Sequence, residues 1–472
     1  MQVLRHKHNQ IVILVCFNNF AILVFRKLKM PSLLKGAGFK KRNGFGASVS
    51  DIVFMLLSSC FYRSNKSIYG NFGHSDRVPV CTSKSSIYRF LSNERNNWRL
   101  LNLKLAKEVI DSFTKLSDAD RRYCLILDDS MLESRKGKEV ELLSRQYDHV
   151  SKTFIKGFNC LQLGWSDGVS YVPVASALLS TPKEENRYCE ATDSIDKRTS
   201  GYKRRVEAMS RKPNVAVNLI KQSQNTGISA DYVLMDSWFT TEPFIKEIKD
   251  IGLDVIGMVK PLRQRYQYQG QLLDLHKLFK AIPNKKSGDI ICSAIVKTKG
   301  DIPIKLVFIR NRNCSNEYLA LLSTDTSLDC EEIVRLYARR WLIETNFRAQ
   351  KQYFRLGTES SARDYDNLFA FMNISSIRYI MLEFIRRYNI DERSLGELFR
   401  STCQQLEDIP FVSAIESLML SFNNIAKKLF EAKVLKKNCF AKAQKIITDS
   451  LSDWFTGICR YLKQILGDPI AT

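Results

Sequence analysis

The chain has 472 residues, with 72 Lys and Arg against 49 Asp and Glu, a formal net charge of +23. Its 44% apolar and 11% aromatic content excludes a disordered chain, and the length suits roughly two to four domains at about 100–200 residues each. A cationic excess of this size points to a polyanion, either nucleic acid or an anionic membrane surface.

The 12 cysteines are scattered singly and the 5 histidines are dispersed. With no CxxC pair, a zinc site at the usual spacings is not expected, and free thiols in a reducing cytoplasm are. The apolar run Ile11 to Phe25 follows Arg5 and Lys7 and is closed by Arg26-Lys27. It is too short for a membrane span, is broken by Asn18 and Asn19, and has no small-residue cleavage site after it. A buried helix, or an extension upstream of a natural start at Met30, is the expectation, with no membrane partner.

Taken in chain order, residues 1–50 carry nine Lys/Arg and no carboxylate before Asp51. Val53 to about Leu116 reads as helical. Within it, Thr82-Ser83-Lys84-Ser85-Ser86-Ile87-Tyr88-Arg89-Phe90-Leu91 is a capped helix whose hydroxyl and basic first turn suits DNA phosphates and base edges. Tyr123 to Leu127 is a short buried strand ending in Asp128-Asp129-Ser130. Phe158 to Gly164 and Val169 to Ala177 form a hairpin around Trp165-Ser166-Asp167-Gly168. A basic helix over Tyr202 to Gln222 precedes the strand Tyr232 to Met235, which ends in Asp236. The helix Glu242 to Ile251 and the strand Val255 to Val259 follow. Three antiparallel strands, then helix, strand, helix and strand, form the order of a ribonuclease-H-like α/β core.

The stretch from about 260 to 325 is strand-rich (Ile290 to Val296, Ile304 to Ile309, Tyr318 to Leu322) and interrupts that core. From Glu331 the pattern is helical almost to the end. The domain reading is therefore 1–29 extension, 30–118 helical DNA-binding region, 119–260 first part of the core, 261–328 β-rich insertion, 329–362 the glutamate-bearing helix of the core, and 363–472 a helical C-terminal region for dimerisation. The apolar stretches Leu368 to Phe371 and Ile380 to Phe384 suit either core packing or a dimer interface. The lysines Lys427, Lys428, Lys433, Lys436 and Lys437 suit a phosphate-binding face or a solvated one.

At about 100° per residue, one helix brings Tyr337, Arg340, Glu344 and Lys351 onto one face. An Arg340–Glu344 pair on a solvated face would explain that helix alone. Beside Asp128 and Asp236, Glu344 becomes the third carboxylate that two-metal phosphodiester chemistry requires, with cations flanking it to hold the DNA backbone. The Lys197 to Lys212 cluster, seven Lys/Arg against Glu207, is a further surface for tracking phosphates.

The spacing Tyr337-x2-Arg340-x3-Glu344-x6-Lys351 resembles the Y-(2)-R-(3)-E-(6)-K pattern of the DDE transposases of bacterial insertion sequences, the IS-four family. Leu127-Asp128-Asp129-Ser130 is similar to that family's first acidic strand, and Met235-Asp236-Ser237-Trp238-Phe239 to its second. Lys136-x-Lys138 and Tyr147-Asp148-His149 also fit. The resemblance spans roughly residues 80–390. It implies a ribonuclease-H-like core with a β-insertion, and metal ligation by Asp128, Asp236 and Glu344, with Asp129 as the alternative first ligand. It further implies Mg2+ (Mn2+ able to substitute), and DNA contacts by Tyr337, Arg340 and Lys351. Tyr318 is the candidate for stacking a flipped base. The implied activity is cleavage at terminal inverted repeats and strand transfer into target DNA by a homodimer on double-stranded DNA, in the bacterial cytoplasm with the nucleoid. The alternatives are a non-catalytic DNA-binding protein derived from a transposase and a membrane-surface protein led by Ile11 to Phe25.

Overall fold

The computed structural model describes residues 27–41, 46–62, 72, 82–117, 120–133, 139–148, 151–261, 264–283, 288–312, 317–360, 362–388, 390, 392–403, 425, 427–432, 439, 442 and 446. The apolar run Ile11 to Phe25, Lys136-x-Lys138, His149, Lys433, Lys436 and Lys437 lie outside these residues. The chain forms two compact units, Asn18–Arg400 and Met1–Phe17 with Ser401–Thr472. The candidate site lies wholly in the first. In the second, Lys427 and Lys428 are exposed on a helical stretch.

The N-terminal part of the first unit is helical, as expected. Helix α1 (Met30–Gly36) is followed by α2 (Val49–Ser58), which opens on a Ser48/Asp51 capping box that satisfies two orphan N-terminal donors. Helix α3 (Lys84–Leu91) is capped by Ser83, which accepts from the Ser86 N–H, and buries Ile87, Phe90 and Leu91. Its exposed side carries Lys84, Ser85 and Arg89. Helix α4 (Trp98–Thr114) buries Trp98 at its start, against Phe39 and Phe90.

One sheet of eleven strands organises the rest. Strands β1 (Cys124–Glu133), β3 (Thr153–Ser166) and β4 (Tyr171–Leu179) are antiparallel neighbours, and β2 (Ser144–Asp148) pairs the first part of β3. The turn from β3 to β4 places Gly168 at φ +93°, where a β-carbon is strained. It is held by Asp167, whose carboxylate accepts the N–H groups of Val169 and Ser170. The predicted basic helix is two helices, α5 (Ser200–Ala208) and α6 (Lys212–Asn225). The break falls just before Pro213, which fits only the first turn of a helix. Strand β5 (Tyr232–Met235) then runs parallel to β1, and β6 (Asp254–Val259) parallel to β5, linked by α7 (Glu242–Asp250). All four residues of β5 are buried, as a strand covered on both faces requires.

The strand-rich stretch joins this sheet. After β7 (Arg265–Tyr268), β8 (Gln271–Asp274) and helix α8 (Leu275–Ala281) come β9 (Ile290–Thr298), β10 (Pro303–Arg310) and β11 (Tyr318–Ser323). The antiparallel pairing of β11 with β6 continues the sheet into them. Helices α9 (Cys330–Ala338), α10 (Trp341–Gln352) and α11 (Tyr365–Tyr388) complete the unit. Helix α11 is long and apolar enough to cross a bilayer, yet it is buried along most of its length and packs on α4 and β4. Of the stretches Leu368 to Phe371 and Ile380 to Phe384, all but the half-buried Leu368 are core, which is the packing alternative of the two that the sequence offered.

The Lys197 to Lys212 cluster needs a second correction. Arg204 and Arg205 are buried, at 5% and 3% exposure. Arg204 pairs with Asp366, and Arg205 with both Glu141 and Asp366. A desolvated guanidinium requires such partners, and two of the seven cations are therefore structural.

Candidate active site

Register sets the two aspartates side by side. The parallel pairing of β1 with β5 ends at Leu127 opposite Met235, so the next residues, Asp128 and Asp236, sit where the two strands part. Neighbouring strands lie about 4.8 Å apart. Strand β1 does not end there, contrary to expectation: it stays paired with β3 as far as Glu133 opposite Gly157. Asp128, Asp129 and Ser130 are thus strand residues whose side chains alternate between the two faces.

That alternation separates the two candidates for the first ligand. Asp128 accepts from Arg340 Nη1 at 3.0 Å, and its own carboxylate receives the Asp129 N–H at 2.8 Å. Ser130, on the same face, accepts from Lys351 Nζ at 2.7 Å. Asp129 turns the other way, to Lys212 Nζ at 3.0 Å and the amide of Asn159. Burial pushes the Asp128 carboxyl up to about 7; Asp129 and Asp236 add like charge, while the Asp129 N–H and the Arg340 guanidinium act against the rise.

Asp236 is held by its own turn. Its Oδ1 accepts the N–H groups of Trp238 and Phe239 at 3.0 and 3.3 Å, and its carbonyl accepts Thr240 Oγ1 at 2.7 Å. Gly257 on β6 makes room for Thr240: a β-carbon there would lie 2.4 Å from Thr240 Oγ1.

The predicted single helix from Glu331 is two, joined at Arg339–Arg340. Both residues keep right-handed helical dihedrals, but Arg339, Arg340, Leu342 and Ile343 each bond three residues back. The turn is tightened in the 3-10 manner. Past this joint, Arg340 Nη2 reaches Glu344 Oε1 at 2.6 Å, while Nη1 holds Asp128. Tyr337, on α9, keeps its ring 5.9 Å from the Arg340 guanidinium. Burial pushes the pKa of its hydroxyl up to about 12, with Arg340 acting against the rise. Lys351, in the last turn of α10, also donates to the Met131 carbonyl at 3.1 Å, and desolvation holds its pKa below the ordinary value.

The structure therefore joins Asp128 and Glu344 through Arg340, with Tyr337 against that guanidinium, Lys351 on Ser130 two residues along β1, and Asp236 beside Asp128. Among the described residues, no three His, Cys, Asp or Glu side chains are gathered as a metal-ligand set: the Arg340 guanidinium stands between two of the three carboxylates. Tyr318 is not brought in. It starts β11, three strands from β1, and its ring stacks on Phe279 at 4.3 Å and meets Phe308 edge-on. Sequence reasoning missed Lys212, Asn159 and Trp238. Trp238 is 46% exposed, with Lys212 Nζ 4.4 Å from its ring centroid. Only the hydroxyl of Thr240, four residues beyond Asp236, gave a local signal, through its capacity to bond the backbone.

Residues 55–273 match the family model described as DDE superfamily endonuclease, and residues 210–381 the one described as transposase DDE domain. Residues 210–381 are thus similar to a transposase DDE domain. The first match contains Asp128 and Asp236; the second contains Asp236, Tyr337, Arg340, Glu344 and Lys351. No curated protein matches the chain. Among solved structures, the Drosophila P element transposase strand transfer complex aligns over 93% of this chain and 86% of that one. The identity is 11% and the TM-score 0.22, a likeness too slight to bear on the fold.

Proposed function

We propose that the chain is a metal-dependent DNA transposase that cuts an insertion sequence at its terminal inverted repeats and joins it to target DNA. The observation that carries this reading is the placing of Asp128 and Asp236 at the parting of β1 and β5, with Glu344 tied to Asp128 through Arg340. The β4–β3–β1–β5–β6 order, three antiparallel strands continued by two parallel ones, supports a ribonuclease-H-like core interrupted by the 261–328 insertion. The Tyr337–Arg340–Glu344–Lys351 spacing supports the IS-four, Y-R-E-K group.

The three carboxylates offer oxygen donors alone, with no Cys or His among them, which suits a hard cation such as Mg2+ or Mn2+. Asp128, Asp236 and Glu344 would hold the ion, which when bound lowers the pKa of an attacking water or 3′-hydroxyl and offsets charge on the phosphate. The chain's own part is positioning. Arg340 and Lys351 present donors to phosphate oxygens, Tyr337 adds a hydroxyl, and α3 with its exposed Lys84 and Arg89 adds a second basic contact. Counterion release makes such binding fall steeply with salt, and cutting two ends calls for a homodimer on the DNA.

The competing reading, a non-catalytic DNA-binding derivative, draws on the absence of a gathered metal-ligand set among the described residues. Nicking of supercoiled DNA carrying the element's ends separates the two. Mg2+-dependent nicking that Glu344→Gln abolishes, with end binding retained, supports the transposase. Retained cleavage in that variant removes Glu344 from the role.

A further inference from the structure

Arg340 makes an unusual pair of contacts. A guanidinium beside a carboxylate commonly grips it with two parallel N–H groups; here each amino nitrogen takes a different carboxylate, Asp128 at 3.0 Å and Glu344 at 2.6 Å. The side chain is 13% exposed, and the two carboxylates 17% and 33%, so the strap is partly desolvated and reachable from solvent. Among the described residues, its other neighbour is the ring of Tyr337, and its acceptors include no backbone carbonyl. The oxygens it holds are those a divalent cation would need, and Arg340 itself carries one positive charge into the gap between them.

We propose that Arg340 stands in for the divalent cation in the DNA-free protein, so that metal enters between Asp128 and Glu344 only after an anionic phosphate draws the guanidinium out. This deepens the transposase reading and rests on it. The physical grounds are competition and preference. Guanidinium and dication cannot both neutralise the same two oxygens. A phosphate oxygen pair matches the guanidinium fork at least as well as two separate carboxylates do. The α9–α10 joint fixes the Arg340 backbone, while the side-chain torsions let the guanidinium turn from the carboxylates toward a phosphate. DNA and metal then bind with positive coupling, and the same protein without DNA holds metal weakly.

The test is a Mn2+ titration followed by loss of the free-ion electron paramagnetic resonance signal. It uses the full chain as wild type, Arg340→Gln, Arg340→Lys and Arg340→Gln/Glu344→Gln, each with and without a short blunt DNA duplex. Without DNA, Arg340→Gln should bind Mn2+ about tenfold tighter than wild type, within the usual range of coupling between sites. The duplex should tighten binding to wild type by a similar factor and leave Arg340→Gln nearly unchanged. Arg340→Lys, which reaches one carboxylate at a time, should fall between, and it decides the matter if the glutamine variant does not fold. Equal affinities without DNA, or an equal duplex effect on wild type and variant, overturn the proposal. So does a gain that survives the added Glu344→Gln, because the extra metal is then elsewhere. Wild-type nicking together with equal Mn2+ affinities sinks this proposal alone. Absence of nicking together with the expected Mn2+ pattern sinks the transposase reading alone.

Discussion

Two arginines in this protein each bridge separate parts of the chain through carboxylates, and they do so in opposite ways. Arg378 on α11 is completely buried beside an equally buried Glu359. Its donors are taken up by that carboxylate, by the carbonyls of Leu56, Leu57 and Phe354, and by the Ser59 hydroxyl. Arg340 has two acceptors, both carboxylates, and stays partly open. A guanidinium whose donors are satisfied by fixed backbone and buried side chains has nowhere better to go, and it locks α2 to α11. One suspended between two acids has an alternative wherever a phosphate or a cation arrives. Saturation of the donors, more than charge, separates Arg378 from Arg340.

The sharpest way to break that contrast is on the Glu344 side. Glu344→Gln should lower strand cleavage about 1000-fold, the several kcal/mol that a metal ligand supplies in the transition state, with little change in urea unfolding. A comparable loss of stability would make Glu344 structural, like Glu359. Next in size, Arg378→Met leaves Glu359 buried and unpaired, at a cost of about 3–5 kcal/mol in urea unfolding. A change below about 1 kcal/mol, of the kind expected for an open surface ion pair, would erase the distinction.

Acidity gives a smaller effect with a definite sign. Burial raises Asp128 to about 7 from the ordinary 3.8, so the folded chain binds this proton more tightly than the unfolded one. Its ionisation therefore subtracts stability as pH rises from about 4 to about 7, and metal must displace the proton below that point. Mn2+ affinity should climb by up to about tenfold per pH unit below about 7 and level off above it. A profile flat from pH 5 to 8 would mean that Asp128 is not a ligand. The smallest effect belongs to Arg340→Gln on unfolding, within about 1 kcal/mol of wild type by urea titration. A larger cost would place Arg340 with Arg378.

Much of the fold was legible because its signals are local. The apolar runs of β5, β6 and β9–β11, the α7 pattern and the Asp167–Gly168 turn follow from neighbouring residue types. The Tyr337–Arg340–Glu344–Lys351 spacing lies within one stretch of chain. What escaped is held by distant partners. Nothing near Asp128 says that β1 continues beyond it, because the pairing that carries it to Glu133 belongs to β3. Arg204 and Arg205 read as surface cations because Glu141 and Asp366 lie far away in sequence. The joint at Arg339–Arg340 carries no Gly or Pro to announce it. Asp128 and Asp129 could be told apart only once α10 and α6 were seen on opposite faces of one strand.

The pairing of β11 with β6 has a consequence for the edge of the sheet. Without it, β6 would end the parallel part of the sheet as a bare edge, with unpaired N–H and C=O groups on the buried residues Val255, Ile256 and Val259. Such an edge is a template for pairing with another copy. The strand-rich stretch closes it from within the same chain, and so acts as a built-in guard against edge-to-edge aggregation.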